Sequence, residues 1–154
     1  MDRRRFFQLF TLNNKHIRPP YNIDESLFKE CMECDMPCVK VCEESIIHIT
    51  EDHTPYLNFD NSGCTFCTNC AKVCEKGVLN QHLEAKINSI ALINKELCIA
   101  WNMTLCSSCT DVCYPKSITF SRMLNPQIDQ NTCNGCGLCK NICPLSAITI
   151  EYKK

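Results

Sequence analysis

CNGCGLCKNICP, Cys133 to Pro144, sets four thiols at gaps of two, two and three residues and follows the last with a proline. Three more groups stand upstream. Cys64, Cys67, Cys70 and Cys74 repeat the same gaps without the proline, while Cys31, Cys34, Cys38 and Cys42 are spaced by two, three and three. Cys98, Cys106, Cys109 and Cys113 are spaced by seven, two and three. The segments after each last cysteine also match: CEESIIHI from Cys42, CEKGVLNQ from Cys74, CYPKSITF from Cys113 and CPLSAITI from Cys143. Each has a small residue and then apolar or β-branched ones. PYLNFDNSGC, SIALINKELC and PQIDQNTC lead into the last three groups as strand-like runs that end in polar turn residues. One unit therefore reads strand, turn, cysteine loop, short helix, strand, and the chain carries four copies.

Sixteen cysteines in 154 residues leave two broad classes, a disulfide framework or a metal protein. The start, MDRRRFFQLFTLNNKHIRPP, has only a brief apolar run and no small-residue cleavage site, so no secretory signal is evident. Disulfide frameworks also spread their cysteines, whereas these cluster. Among metals, structural zinc pairs one C-x2-C with another pair farther along. Three cysteines on one tight loop plus a fourth at x3 suit an iron–sulfur cubane, and the group from Cys133 matches the bacterial ferredoxin run C-x2-C-x2-C-x3-C-P. In that geometry the loop holds three corners of one cluster, and the fourth cysteine ligates the neighbouring one.

From Cys42 to Cys64 is 22 residues, from Cys74 to Cys98 is 24, and from Cys113 to Cys133 is 20, so the groups pair first with second and third with fourth. The expected fold is α+β: two tandem bacterial-type ferredoxin-like modules, 23–80 and 88–154, joined by a linker 81–87 and preceded by a basic arm 1–22. Four [4Fe-4S] clusters are expected. The exchange rule assigns Cys31, Cys34, Cys38 and Cys74 to cluster 1, and Cys64, Cys67, Cys70 and Cys42 to cluster 2. It assigns Cys98, Cys106, Cys109 and Cys143 to cluster 3, and Cys133, Cys136, Cys139 and Cys113 to cluster 4. Cys98 completes the count for cluster 3; the plain alternative is a buried free thiol. Trp101 and Met103, in the loop after Cys98, would cover one side of that cluster or simply pack. Phe66 and Tyr114, beside ligands, are expected to lie over clusters.

No nucleotide loop and no catalytic triad stand out, so an enzyme is not expected and neither is a nucleic-acid partner. His16, His48, His53 and His82 are scattered and read as solvated or hydrogen-bonded. No apolar run reaches the ~20 residues of a membrane span. The formal charge is −1, but four oxidised cubanes with their thiolates would bring the loaded chain to about −9. Against this, residues 1–22 sum to +4. That arm has three open roles: folding back on the acidic body, binding a partner, or touching an anionic membrane surface.

The arginine-rich start (Arg3, Arg4, Arg5), the box Arg18-Pro19-Pro20-Tyr21, the displaced third group CIAWNMTLCSSC and the closing CNGCGLCKNICPLSAITIEY together resemble the NapF family of ferredoxin-type accessory proteins of the periplasmic nitrate reductase system. The resemblance implies a cytoplasmic protein with four [4Fe-4S] clusters. It implies as partner the precursor form of the nitrate reductase catalytic subunit, contacted before export to help its maturation. It also strengthens Cys98 as a ligand. A polyferredoxin that links an electron donor to a respiratory reductase is the alternative. RRRFF is also similar to a twin-arginine export signal, which makes the periplasm the alternative location. The extra residue between Cys34 and Cys38 departs from the family spacing, with Pro37 placed to absorb it in a turn.

Overall fold

The computed structural model describes residues 16–153. Arg3, Arg4 and Arg5, and with them the readings of a basic arm and of an export signal, lie outside the described residues except for 16–22.

Three antiparallel two-stranded ribbons frame the fold. β1 (Ile47–Ile49) pairs with β2 (Pro55–Leu57), with Ile47 opposite Leu57. β3 (Ser89–Ile93) pairs with β6 (Ile148–Tyr152), with Ala91 opposite Ile150. β4 (Ile118–Ser121) pairs with β5 (Leu124–Ile128), with Ile118 opposite Ile128. The turn between β4 and β5 places Arg122 and Met123 at φ 54° and 67°, the left-handed pair that a tight hairpin needs. These strands fall where the runs around the cysteine groups predict them.

In the first half the counterpart of the β3–β6 ribbon is reduced to one bridge, Asn22 to Leu79, backed by the Asn80 amide donating to the Tyr21 carbonyl at 2.8 Å. Residues 16–22 thus pack into the first half. Pro19 and Pro20 are fully buried there, and having no N–H they limit how far the ladder extends. Arg18 Nη1 donates to Thr54 Oγ1 and to the Pro55 carbonyl, both at 2.8 Å, and its guanidinium lies 5.0 Å over the Phe28 ring.

Four short helices, Pro37–Lys40, Asn69–Lys72, Ser108–Asp111 and Leu138–Ile142, each carry the third cysteine of a group. A turn repeats after each: Ser45, Gly77, Lys116 and Ser146, three residues past the last cysteine, all take positive φ, and their amides donate to that cysteine's carbonyl. The next residue is then driven inward, and Ile46, Val78, Ser117 and Ala147 are each 1–2% exposed. In the first half Phe28, Ile47, Leu57, Phe59, Val78 and Ile87 belong to one buried apolar cluster. In the second half the buried cluster is Ala91, Ile118, Cys139 and Ile148, so a thiol stands in for a core residue. Among the described residues no helix is long and apolar enough to cross a membrane.

Candidate metal centres

Three cavities are each lined by four thiols drawn from two cysteine groups. One holds Cys42 with Cys64, Cys67 and Cys70. Another holds Cys98, Cys106 and Cys109 with Cys143, and the third holds Cys113 with Cys133, Cys136 and Cys139. The repeated turn explains the crossing: the short helix carries its last cysteine away from its own loop and towards the neighbour's. Ile46, Ala147 and Ser117 line these cavities in turn, each four residues past the crossing cysteine. The thiols surround a space rather than a point. Among the described residues no three His, Cys, Asp or Glu side chains stand close enough to hold one ion.

Cys31, Cys34, Cys38 and Cys74 influence one another electrostatically. Burial pushes the Cys31 thiol up to about 11, and the charges that add to it most are Cys74 and Cys34. Cys38 rises to about 12, through burial first and then through Cys70, Cys31, Cys74 and Cys34. The extra residue of this group is absorbed just before the helix. Buried Met36 takes φ 51°, the left-handed role that Gly137 fills at φ 80° in the fourth group, and Pro37 opens the helix. Cys31 itself sits on a 3-10 helix, Glu25–Glu33, capped by the Asp24 carboxylate on the Ser26 amide.

Burial dominates the other thiols too. Cys64, Cys70 and Cys139 are pushed up to about 12 and Cys109 to about 11. The thiols whose charges add to this follow the cavities, with Cys136 acting on Cys64 and Cys109 on Cys139 from the neighbouring cavity. Backbone amides already point at sulfur: Leu79 to Cys74 at 3.3 Å, Ala147 to Cys143 at 3.2 Å and Phe66 to Cys64 at 3.4 Å. Such donors favour thiolate over thiol. Four convergent thiols in a mostly apolar wall, with amides aimed at sulfur, fit a thiolate-bound cubane.

The two halves meet at their cysteine loops. The Cys64 amide donates to the Cys136 carbonyl at 2.7 Å, the Ile87 amide to the Asn134 carbonyl at 2.9 Å, and Lys140 Nζ pairs with Asp60 at 2.8 Å.

Cys98 lines its cavity because its loop is tied down. Asn102 Nδ2 donates to the carbonyls of Cys98, Glu96 and Lys95 at 2.9, 3.0 and 3.3 Å. The expected cover is different. Met103 is 80% exposed, and Trp101 donates to the Pro126 carbonyl at 3.1 Å, so Ile99 and Pro126, rather than Trp101 and Met103, contribute to the wall of that cavity. Tyr114 is 85% exposed and lies outside the cavity of its neighbour Cys113, whose wall Pro115 fills; with Phe66 it lines instead an open cavity that Cys64 and Cys136 share. Phe66 is half-buried, and its carbonyl accepts from the Tyr21 hydroxyl at 2.8 Å. The histidines are peripheral; His53 Nε2 lies 3.1 Å from the Cys34 carbonyl, and His16 and His48 flank the Tyr56 ring. Sequence reasoning did not single out Asn102, Gly63 or Ser117. Only the offset of Ser117 from its cysteine, shared with Ile46, Val78 and Ala147, could have flagged it.

A 4Fe-4S dicluster domain matches residues 30–78 and a 4Fe-4S binding domain matches residues 126–149. The ferredoxin-type protein NapF of Escherichia coli K12 is 37% identical over 142 residues, 88% of this chain and 85% of its own length. The ferredoxin-type protein NapF of Haemophilus influenzae is 30% identical over 90% of this chain and 80% of its own length. The methylamine utilization ferredoxin-type protein MauM of Methylorubrum extorquens is 28% identical over 89% of this chain and 72% of its own length.

Proposed function

The chain belongs to the family of NapF ferredoxin-type proteins, and on that premise we propose that its sixteen cysteines hold four [4Fe-4S] clusters and that it serves as an accessory protein to periplasmic nitrate reductase. The ligand sets are Cys31, Cys34, Cys38 and Cys74; Cys42, Cys64, Cys67 and Cys70; Cys98, Cys106, Cys109 and Cys143; and Cys113, Cys133, Cys136 and Cys139. The observation that carries this reading is the trio of cavities, each lined by one crossed set of four thiols. When bound, the clusters supply one-electron redox chemistry. The chain's own residues fix the thiols on short helices, keep water out with Ile46, Leu57, Ile118 and Ile148, and aim amides at sulfur.

The partner in this reading is the precursor of the nitrate reductase catalytic subunit, met in the cytoplasm before export and helped to acquire its own cluster. The test is an anaerobic pull-down of the loaded chain against precursor and mature subunit, with and without residues 1–22. Binding confined to the precursor supports maturation. Absence of binding to either removes it.

A second reading, an electron-transfer polyferredoxin, is favoured by the Cys64–Cys136 contact, which joins sites of both halves. A redox link is needed at every turnover, so depleting it stops nitrate reduction by already loaded enzyme. A maturation factor is dispensable at that stage.

A further inference from the structure

Two serines are almost fully buried. Ser89, 0% exposed, donates from Oγ to the Gly135 carbonyl at 3.0 Å. Ser117 is 1% exposed, and among the described residues its Oγ is the buried side-chain atom that lacks a partner. A hydroxyl stripped of water and left unpaired is costly, and such groups are rare in folded chains. Its place in the repeat makes the cost harder to dismiss as packing. The equivalent positions are Ile46, Val78 and Ala147, none of which has a polar side chain. Ser117 lines the cavity of Cys113, Cys133, Cys136 and Cys139; apart from the thiols and Asn134, whose Oδ1 already accepts from the Cys136 amide at 3.3 Å, the side chains around it are apolar, including Ile118, Ile128 and Ala91. Sulfur is the acceptor chemistry this wall offers.

We propose that the Ser117 hydroxyl donates a hydrogen bond to sulfur of the cluster held by Cys113, Cys133, Cys136 and Cys139, and thereby raises that cluster's reduction potential relative to the site with Ala147. This rests on the four-cluster reading above. The physical ground is that a reduced cluster carries one more negative charge. A donor aimed at its sulfur therefore stabilises the reduced form more than the oxidised one. The repeat builds three sites with an apolar side chain at this position and one with a hydroxyl.

The test is a redox titration of the full, anaerobically loaded chain, followed by electron paramagnetic resonance, after iron has been counted. Ser117→Ala places at this position the residue that already stands at 147, so the fold tolerates it. It is expected to lower one potential by about 59 mV, a tenfold change in a one-electron equilibrium, and to leave the other three in place. Ala147→Ser, the converse, is expected to raise the potential of the site of Cys98, Cys106, Cys109 and Cys143. Full iron with every potential unmoved in Ser117→Ala overturns the inference and leaves the cluster assignment standing. A wild-type iron count short of four clusters overturns that assignment and this inference together. If Ser117→Ala loses the cluster outright, Ala147→Ser decides: a raised potential supports the role of the hydroxyl, and an unchanged one overturns it.

Discussion

The Cys64 amide donates to the Cys136 carbonyl across 2.7 Å, and this bond ties a cysteine loop of the first half to one of the second. Gly63 makes the approach possible. A Cβ there would lie 2.5 Å from Leu138 N and 2.8 Å from the Cys136 carbonyl oxygen, backbone atoms that cannot swing aside. Gly63→Ala is therefore expected to cost about 2 kcal/mol through overpacking. Anaerobic scanning calorimetry of the loaded chain should show a midpoint lower by ~4–8 °C. An unchanged midpoint would mean that the two loops are not seated against each other.

The displaced cysteine offers a second test. Cys98 reaches its cavity because Asn102 gathers three carbonyls of the preceding turn. Cys98→Ala should lose iron from one site, read as iron per chain and as loss of one spectral component. Asn102→Ala should keep the cluster but release it to a chelator about fivefold faster, as fits the loss of about 1 kcal/mol of loop restraint. Full iron and an unaltered spectrum in Cys98→Ala would reduce Cys98 to a bystander.

The strands were legible in the runs that flank the cysteine groups, and the proposed ligand sets rest on the spacing of the thiols. A third cysteine on a four-residue helix, followed by a left-handed turn, leaves the next cysteine few directions to point. Other features depend on what lies across space. Arg18-Pro19-Pro20-Tyr21 carries no strand periodicity and reads as an arm, yet both prolines are fully buried and Tyr21 closes on the Phe66 carbonyl. Tyr114 reads as cluster cover because it adjoins Cys113, but adjacency along the chain does not say which way a turn faces. Gly63 shows no positive φ, so its need for a small residue is visible only once Leu138 is in place.

Arg18 is a third point of attack. Its guanidinium holds Thr54 Oγ1 and the Pro55 carbonyl while lying on Phe28, and burial lowers its pKa from the ordinary arginine value. Lysine offers a point charge without the planar fork. Arg18→Lys should cost about 2 kcal/mol, the range for a charge-assisted bond to a half-buried partner. A lower guanidinium midpoint for the loaded chain is the readout. Equal midpoints would show that the 16–22 segment contributes nothing to the first half.

The thiols set the pH response of the iron-free chain. Cys31 and Cys109 are raised by burial to about 11, and Cys38, Cys64, Cys70 and Cys139 to about 12, against an ordinary thiol value of 9.0. Below 9 the folded and unfolded chains hold these protons alike, and the fold keeps its full stability. As pH rises beyond that, the unfolded chain gives up protons that the folded chain retains. Unfolding is then drawn forward, until the folded thiols ionise in turn near 11 to 12. Tyr21, raised to about 12 by burial first and then by nearby thiols, acts with the same sign. Reduced iron-free protein should therefore lose ellipticity progressively as pH climbs from 9 towards 12, while the loaded chain, its thiols already deprotonated by iron, shows no such loss over the start of that range. For the same reason, reconstitution in weak buffer should release protons as iron enters. An iron-free chain whose stability stays flat to pH 11 would mean that these cysteines are not buried.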